Sequence, residues 1–307
     1  MLTWIARRIL AVVPVLFGVT LAVFGMLFLV PGDPVKIMLA EFVTTPEQIA
    51  RMRSQLHLDE PILVQYGRFV GNALRGDLGT SIRSRRPVAT EIAENIGSTA
   101  QLALASMAVA VALGIPLGLA AALARNSWLD VASMGAALLG VSMPSFWLGL
   151  LLIFAFSLVL GWFPATGGGG LGHLVLPSVT LGAVASAIIA RLTRSSLLEV
   201  LGQDYVRTAR AKGLGWWSVV VRHALKNALI PVITIFGLQF GNLLAGAVVV
   251  ETVFSRPGLG RLIVGAILAK DFPLVQGAVL FVATAYVLVN VAVDLAYAFA
   301  DPRIRFG

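Results

Sequence analysis

The 307-residue chain has no cysteine, only three histidines, and charged side chains at just 12% of its positions. Without cysteine there is no disulfide and no thiolate chemistry, and the redox compartment is left open. A soluble domain carries charge at about a quarter of its positions, so the scarcity of charge excludes that class. Val131–Ala190 contains no Asp, Glu, Lys or Arg at all. Such a run is long enough for two membrane crossings, each of which needs about 20 apolar residues. None of the four lysines (Lys36, Lys212, Lys226, Lys270) follows a glycine. The Gly-Lys pair of a phosphate-binding loop is therefore missing, and nucleotide hydrolysis would have to belong to another polypeptide. The zinc-protease pattern H-E-x-x-H is also absent. "GVSM" (140–143) faintly resembles an intramembrane serine protease, but that chemistry needs a histidine as base. His57, His173 and His223 all fall outside the apolar runs or at an edge.

What is present is hydrophobic. Mean hydropathy is +0.90 and 58% of residues are apolar. Six spans are expected, at about 9–30, 99–124, 132–160, 174–193, 228–250 and 274–298. The N-terminus begins like a signal peptide, but its apolar stretch is too long and no small-residue cleavage site follows before "PGDP" (31–34), so it reads as a retained first span. The fourth span is the shortest and richest in small residues, which favours a place inside the bundle. Asp294 in the sixth is close enough to its end to reach the interface. The isoelectric point near 10.6 and net charge of +8 read as topology-setting residues that meet anionic lipid, not as a nucleic-acid surface. With both termini inside, twelve Lys/Arg lie on the cytoplasmic side against three in the short outer loops. The long segment 31–98 has no vote, because segments of that length cross regardless of charge. Trp4, Trp128, Trp162 and the pair Trp216–Trp217 fall near expected interfaces.

Segment 31–98 is more than a tether. In "TTPEQIARMRSQL", Thr45 is placed to cap, Pro46 stands at the first helical position and Gln48 at the third. Ile49, Met52 and Leu56 then share a face, and Ile62, Tyr66, Phe69 and Ala73 repeat at helical spacing. Two amphipathic helices outside the membrane are expected, each needing a surface to cover its apolar face. The other odd passage is "YVRTARAKGLGWWSVVVRHALKNALIP" (205–231), five basic residues and two tryptophans between two greasy stretches. Leu197, Leu201 and Tyr205 are spaced four apart and Arg207 and Arg210 three apart; Gly213 should end that helix, and Val219–Ala228 should form a second. The hairpin is either a solvated positive loop or a handle for a cytoplasmic partner. Within the spans, Gln239 and Asn242 share a face of the fifth, where they bond to a neighbouring helix or touch a passing substrate. Glu251, at its outer end, either holds a substrate's amino terminus or caps a turn. "GIPLG" (114–118) and "GLQFG" (237–241) permit close helix packing, and "GGGG" (167–170) reads as a flexible outer turn.

The hairpin motif "YVRTARAKGL…RHALKNALIP" resembles the ATPase-coupling loop of binding-protein-dependent ABC importers, in the dipeptide/oligopeptide/nickel branch. "PGDP" (31–34), "LDEPILVQYGRFVGNALRGDLGTS" (58–81), "SMPSFWLGLLLIF" (142–154), "VVVETVFSRPGLGRLIVGAI" (248–267) and "VDLAYAFADPRIRFG" (293–307) are similar to that branch's first permease subunit, in order and over essentially the whole chain. The wider family's Glu-Ala-Ala is replaced here by Arg207-Thr208-Ala209, as in the peptide-importer variant, and its terminal proline falls on Lys226, the nearest proline being Pro231. The resemblance implies an all-α integral membrane protein of the inner membrane of a prokaryote. It implies the type I importer permease fold: a first span (1–30), an extracytoplasmic segment (31–98) and a six-crossing core (99–307 with the first span) whose coupling loop is 194–227. Tyr205, Arg207, Thr208, Ala209, Arg210, Lys212, Gly213 and Leu214 would grip the ATPase; Ser142, Gln239, Asn242 and Glu251 would face the translocation path. The partners implied are a second, homologous permease subunit, two ATPase subunits or domains holding ATP-Mg, and an extracytoplasmic binding protein; no cofactor is expected on this chain. Peptide is the implied cargo. The competing expectation is a stand-alone ion-coupled carrier, which should place ionisable groups deep in the bundle.

Overall fold

The computed structural model describes residues 2–29, 35, 36, 45–55 and 57–300. The motif "PGDP" (31–34), Leu56, the tail from 301 onward, and the side chains of Trp4, Arg7, Arg8, Met52 and Asp294 lie outside what is described. Among the described residues the chain is helical, in two compact units, one built from the residues up to Ser98 together with Pro257–Leu295, the other from Thr99–Arg256.

The first unit holds α1 (Leu2–Leu29), α2 (Pro46–Gln55), α3 (Ile62–Leu74), the opening turns of α4 (Val88–Leu123), and, later in the chain, α10 (Leu259–Leu268) and most of α11 (Phe272–Ala300). The capping box of α2 forms: the Thr45 amide donates to Gln48 Oε1 at 3.0 Å and the Gln48 amide to Thr45 Oγ1 at 3.4 Å. The core of this unit gathers Val88, Ile92, Leu259, Ile263, Leu274 and Val275. A tight turn at 81–86 is fastened to it by Asp271, whose carboxylate accepts from the Ser81 hydroxyl at 2.5 Å and the Arg83 amide at 3.2 Å. The turn also leads directly into α4, so the second span begins eleven residues before hydropathy alone places it. Glu91 and Glu94 disguise that first stretch as loop. They sit on a helix whose start Pro87 favours, and they are partnered by Ser84 and Arg86.

The second unit holds the rest of α4, then α5 (Trp128–Ser142), α6 (Ser145–Leu152, continued by a π-helical stretch Ile153–Val159), α7 (Gly172–Leu201), α8 (Asp204–Ala211) and α9 (Trp216–Val253). Its core is Leu102, Ala110, Leu176, Leu181, Ile189, Val232, Leu243, Val250 and Phe254. Among the described residues five helices are long and apolar enough to cross a bilayer, and α7 is the most covered of them, with 61% of its apolar window buried. That is the interior place its small residues favour. The expected single span 132–160 is broken instead. α5 and α6 meet at 107°, because Pro144 drives the residue before it out of the helical region: Met143 is extended, at φ −85° and ψ 128°. Counting that bent pair as one gives six spans.

The packing of α4 against α7 explains "GIPLG". A Cβ on Gly118 would lie 2.4 Å from the Ala190 carbonyl oxygen, and one on Gly114 2.7 Å from that of Ser186. Gly182 of α7 returns the arrangement, 2.6 Å from the Ser106 oxygen of α4. Gly237 and Gly241 of the second glycine pair are both buried.

Candidate functional site

The hairpin at 202–218 is built from a few small anchors. α7 ends at Leu201; Gln203 takes an extended conformation and α8 restarts at Asp204. Leu197, Leu201 and Tyr205 therefore do not share one continuous helical face, as their spacing suggested. Gly213 closes α8 with φ +80°, a left-handed turn that costs other residues roughly 1–2 kcal/mol. Leu214 and Gly215 then lead into α9, which runs unbroken through a π-helical stretch (Val219–Leu225) into the fifth span. The second helix expected at 219–228 is thus the base of that span itself. π-turns of this kind are uncommon and gather at functional sites.

Underneath, Val206 and Ala209 are buried against Val219, with Val200 and Leu201 beside them. Asn227 of α9 donates to the Tyr205 hydroxyl at 2.8 Å and to the His223 carbonyl at 3.1 Å. The Arg210 guanidinium rests 4.4 Å from the ring centre of Trp216, a cation–π contact that holds the two arms together. On the outer surface stand Arg207, Thr208, Arg210, Lys212, Gly213, Leu214 and half-exposed Tyr205. The Arg207–Asp204 pair, at 3.8 Å on side chains open to water, adds little. Of the eight residues assigned to this handle, seven are on its surface, and Ala209 is turned inward as a foundation.

The four candidate path residues do not converge in the same way. Ser142 is exposed at the α5–α6 break. Gln239 is buried and accepts from the Asn242 side chain at 3.2 Å. Glu251 is 0% exposed; its Oε1 accepts from the Thr99 hydroxyl at 2.6 Å. Nearby, Arg256 is also buried. Its Nη2 reaches Gln101 at 3.4 Å, while Nε and Nη1 meet no acceptor among the described residues. Burial pushes the Arg256 guanidinium below its ordinary pKa, and the charge of Glu251 pulls it back up.

Sequence reasoning missed one pair. Asp130, just ahead of the uncharged run, accepts Arg194 Nε at 2.6 Å and Nη2 at 2.7 Å, and the Asn126 amide at 3.0 Å. Sixty-four positions separate the two, and no local signal links them. The fork joins the start of α5 to α7 two turns ahead of the hairpin. Asp130→Asn and Arg194→Gln should each lower the thermal midpoint of the detergent-solubilised protein, because each leaves a shielded charge alone. The double variant, with no charge left, should recover much of the loss; a double variant as unstable as the two losses combined would deny the pairing its role.

The family profile described as binding-protein-dependent transport system inner membrane component matches residues 114–306, and its N-terminal counterpart matches 1–103. The chain belongs to that family. The dipeptide transport system permease protein DppB of Alkalihalophilus pseudofirmus is 44% identical, and the glutathione transport system permease protein GsiC of Escherichia coli (strain K12) is 46% identical, each over all of both chains. Among solved structures, an inward-facing MetNI methionine ABC transporter covers 69% of this chain and 96% of its own at a TM-score of 0.60 and 18% identity, which establishes the fold. An amino acid ABC transporter aligns at 0.52 and 14%, over 70% and 94%. The permease is therefore a multi-pass inner-membrane subunit of an ABC importer, not a stand-alone carrier, and does no catalysis itself. It works in a membrane complex with an ATPase and a binding protein.

Proposed function

We propose that the permease lines half of a translocation path for short peptides and that Tyr205–Leu214 sits in a cleft of an ATP-hydrolysing subunit on the cytoplasmic side. The observation that carries this reading is the hairpin itself: a cationic outer surface on an apolar, hydrogen-bonded base, continuous through α9 with a membrane span. A handle transmits work only if its socket fits differently in the two states of the cycle, and a rigid base keeps that difference from being absorbed locally. The names of both relatives support a peptide cargo. A second, similar permease would supply the other half of the path, two ATPase subunits would hold ATP-Mg, and an extracytoplasmic binding protein would deliver the peptide. Both termini are then cytoplasmic, as the basic residues favour. Ser142, Gln239 and Asn242 would border the path, and Glu251 would brace its wall through Thr99.

Vesicles carrying the assembled importer test this. Labelled dipeptide should enter only with its binding protein and ATP; uptake driven by an ion gradient without the ATPase would overturn the reading. Because the chain lacks cysteine, Lys212→Cys is a unique label site. A membrane-impermeant maleimide should reach it in the isolated permease and be blocked once the ATPase is bound. Labelling from outside intact cells, or without protection, would remove the hairpin from that role.

A further inference from the structure

The apolar window of α1 is Leu10–Leu29, with only 17% of it buried within the chain. Its midpoint falls at Thr20, about 15 Å from either end at 1.5 Å per residue. Thr20 Oγ1 shares a 2.8 Å hydrogen bond with the hydroxyl of Tyr66, in the middle of α3. The Tyr66 ring stands edge-on to Phe17 at 6.1 Å and to Phe24 at 5.4 Å, and Phe69 lies 5.9 Å from Phe24. A tyrosine side chain is little longer than one helical turn, so the centre of α3 lies at a depth where α1 is surrounded by hydrocarbon. At 13 residues, α3 is about 20 Å long, too short to cross a core of about 30 Å.

The polar residues Gln65, Arg68 and Asn72 follow one another at helical spacing on one side of α3, where Asn72 is exposed and the other two find partners inside the chain. Gln65 donates to the Glu60 carbonyl at 2.7 Å and the Leu58 carbonyl at 3.3 Å, and Arg68 pairs with Glu60 at 2.9 Å. Away from that side, the uncovered residues are apolar: Leu63 is 81% exposed and Leu74 84%, and Ile62 is exposed as well. Phe17 and Leu21 of α1 are uncovered as well. An apolar groove of about 990 Å³ opens among α1, α3, α4 and α11, bordered by Phe17, Thr20, Tyr66, Val70 and Phe281.

We infer that α3 is a membrane-inserted helix that dips into the bilayer beside α1 without crossing, and that lipid acyl chains fill its uncovered apolar side and the adjoining groove. The expectation of two external helices is thereby divided: α2 is polar, whereas α3 shares its surroundings with a span. The inference stands apart from the coupling role of the hairpin.

Nitroxide labels on Leu63→Cys and Leu74→Cys, in the assembled importer in phosphatidylethanolamine–phosphatidylglycerol vesicles, test it. Both side chains are open enough to accept a label. Collisions with oxygen should exceed those with a water-soluble nickel chelate, as at Leu21→Cys, while at exposed Glu47→Cys the order should reverse. Chelate access at both α3 sites would place the helix in water. Shielding from both reagents would mean that a protein covers it. Either result overturns the inference, whether or not the importer transports peptide.

Discussion

Gly118→Leu should leave no folded permease to recover from the membrane, and Gly118→Ala should lower the thermal midpoint of what is recovered. The cause is contact between backbones. The missing methyl of Gly118 would lie 2.4 Å from the Ala190 oxygen, 2.7 Å from Thr193 Cβ and 3.1 Å from the Arg194 amide nitrogen. None of these is the free end of a flexible side chain, so α4 and α7 must separate to admit even one carbon. Overpacking of this kind costs about 1–3 kcal/mol, and separation also loosens Gly114 and Gly182, which depend on the same approach. Gly135→Ala is the internal control: a Cβ there meets nothing within 4 Å, and its midpoint should hold or rise, since alanine is the better helix former. Thermal unfolding in detergent followed by size-exclusion recovery measures the series. A Gly118→Ala protein as stable as Gly135→Ala would show that the two helices do not pack as described.

The second large effect is a loss of function without loss of fold. Gly213→Val should assemble normally yet lose peptide uptake and peptide-stimulated ATP hydrolysis, whereas Gly213→Asn should retain most of both. Nothing lies within 4 Å of a Cβ at this position, so bulk within the chain is not the obstacle; φ is. Asparagine tolerates the left-handed region and a β-branched residue does not. Strain of roughly 1–2 kcal/mol is small against the stability of the whole, but it falls on the one turn that folds α8 back onto α9. If Asn fails as badly as Val, the requirement is for a bare surface against the ATPase and not for the turn. If both transport normally, the hairpin is no lever.

These expectations show what hydropathy and spacing convey and what they hide. The apolar runs locate the spans because insertion depends on composition, and Thr45–Gln48 and Gly213 are legible because a cap and a left-handed turn each restrict residue choice locally. The interior place of α7 follows from its small side chains. Hydropathy has no direction, however, so it passed straight through Met143–Pro144, where the backbone turns by 107°. It also trimmed α4, since a charged first turn looks like loop until its partners are seen. Asp130 and Arg194 are farther apart than any local rule reaches, and the inward turn of Ala209 depends on Val219, which only the folded hairpin brings beneath it. The hairpin was legible as a patch of basic residues; its rigidity was not.

The close seating of α4 on α7 has a consequence for motion. Two rods whose main chains touch cannot shear past each other, so any rocking must carry both as one stiff beam. α7 has 30 residues and is about 45 Å long, more than the hydrocarbon thickness of about 30 Å. A tug applied at Leu201, beside the hairpin, is thus carried stiffly along α7 as far as Pro177, where a missing backbone donor first loosens the helix.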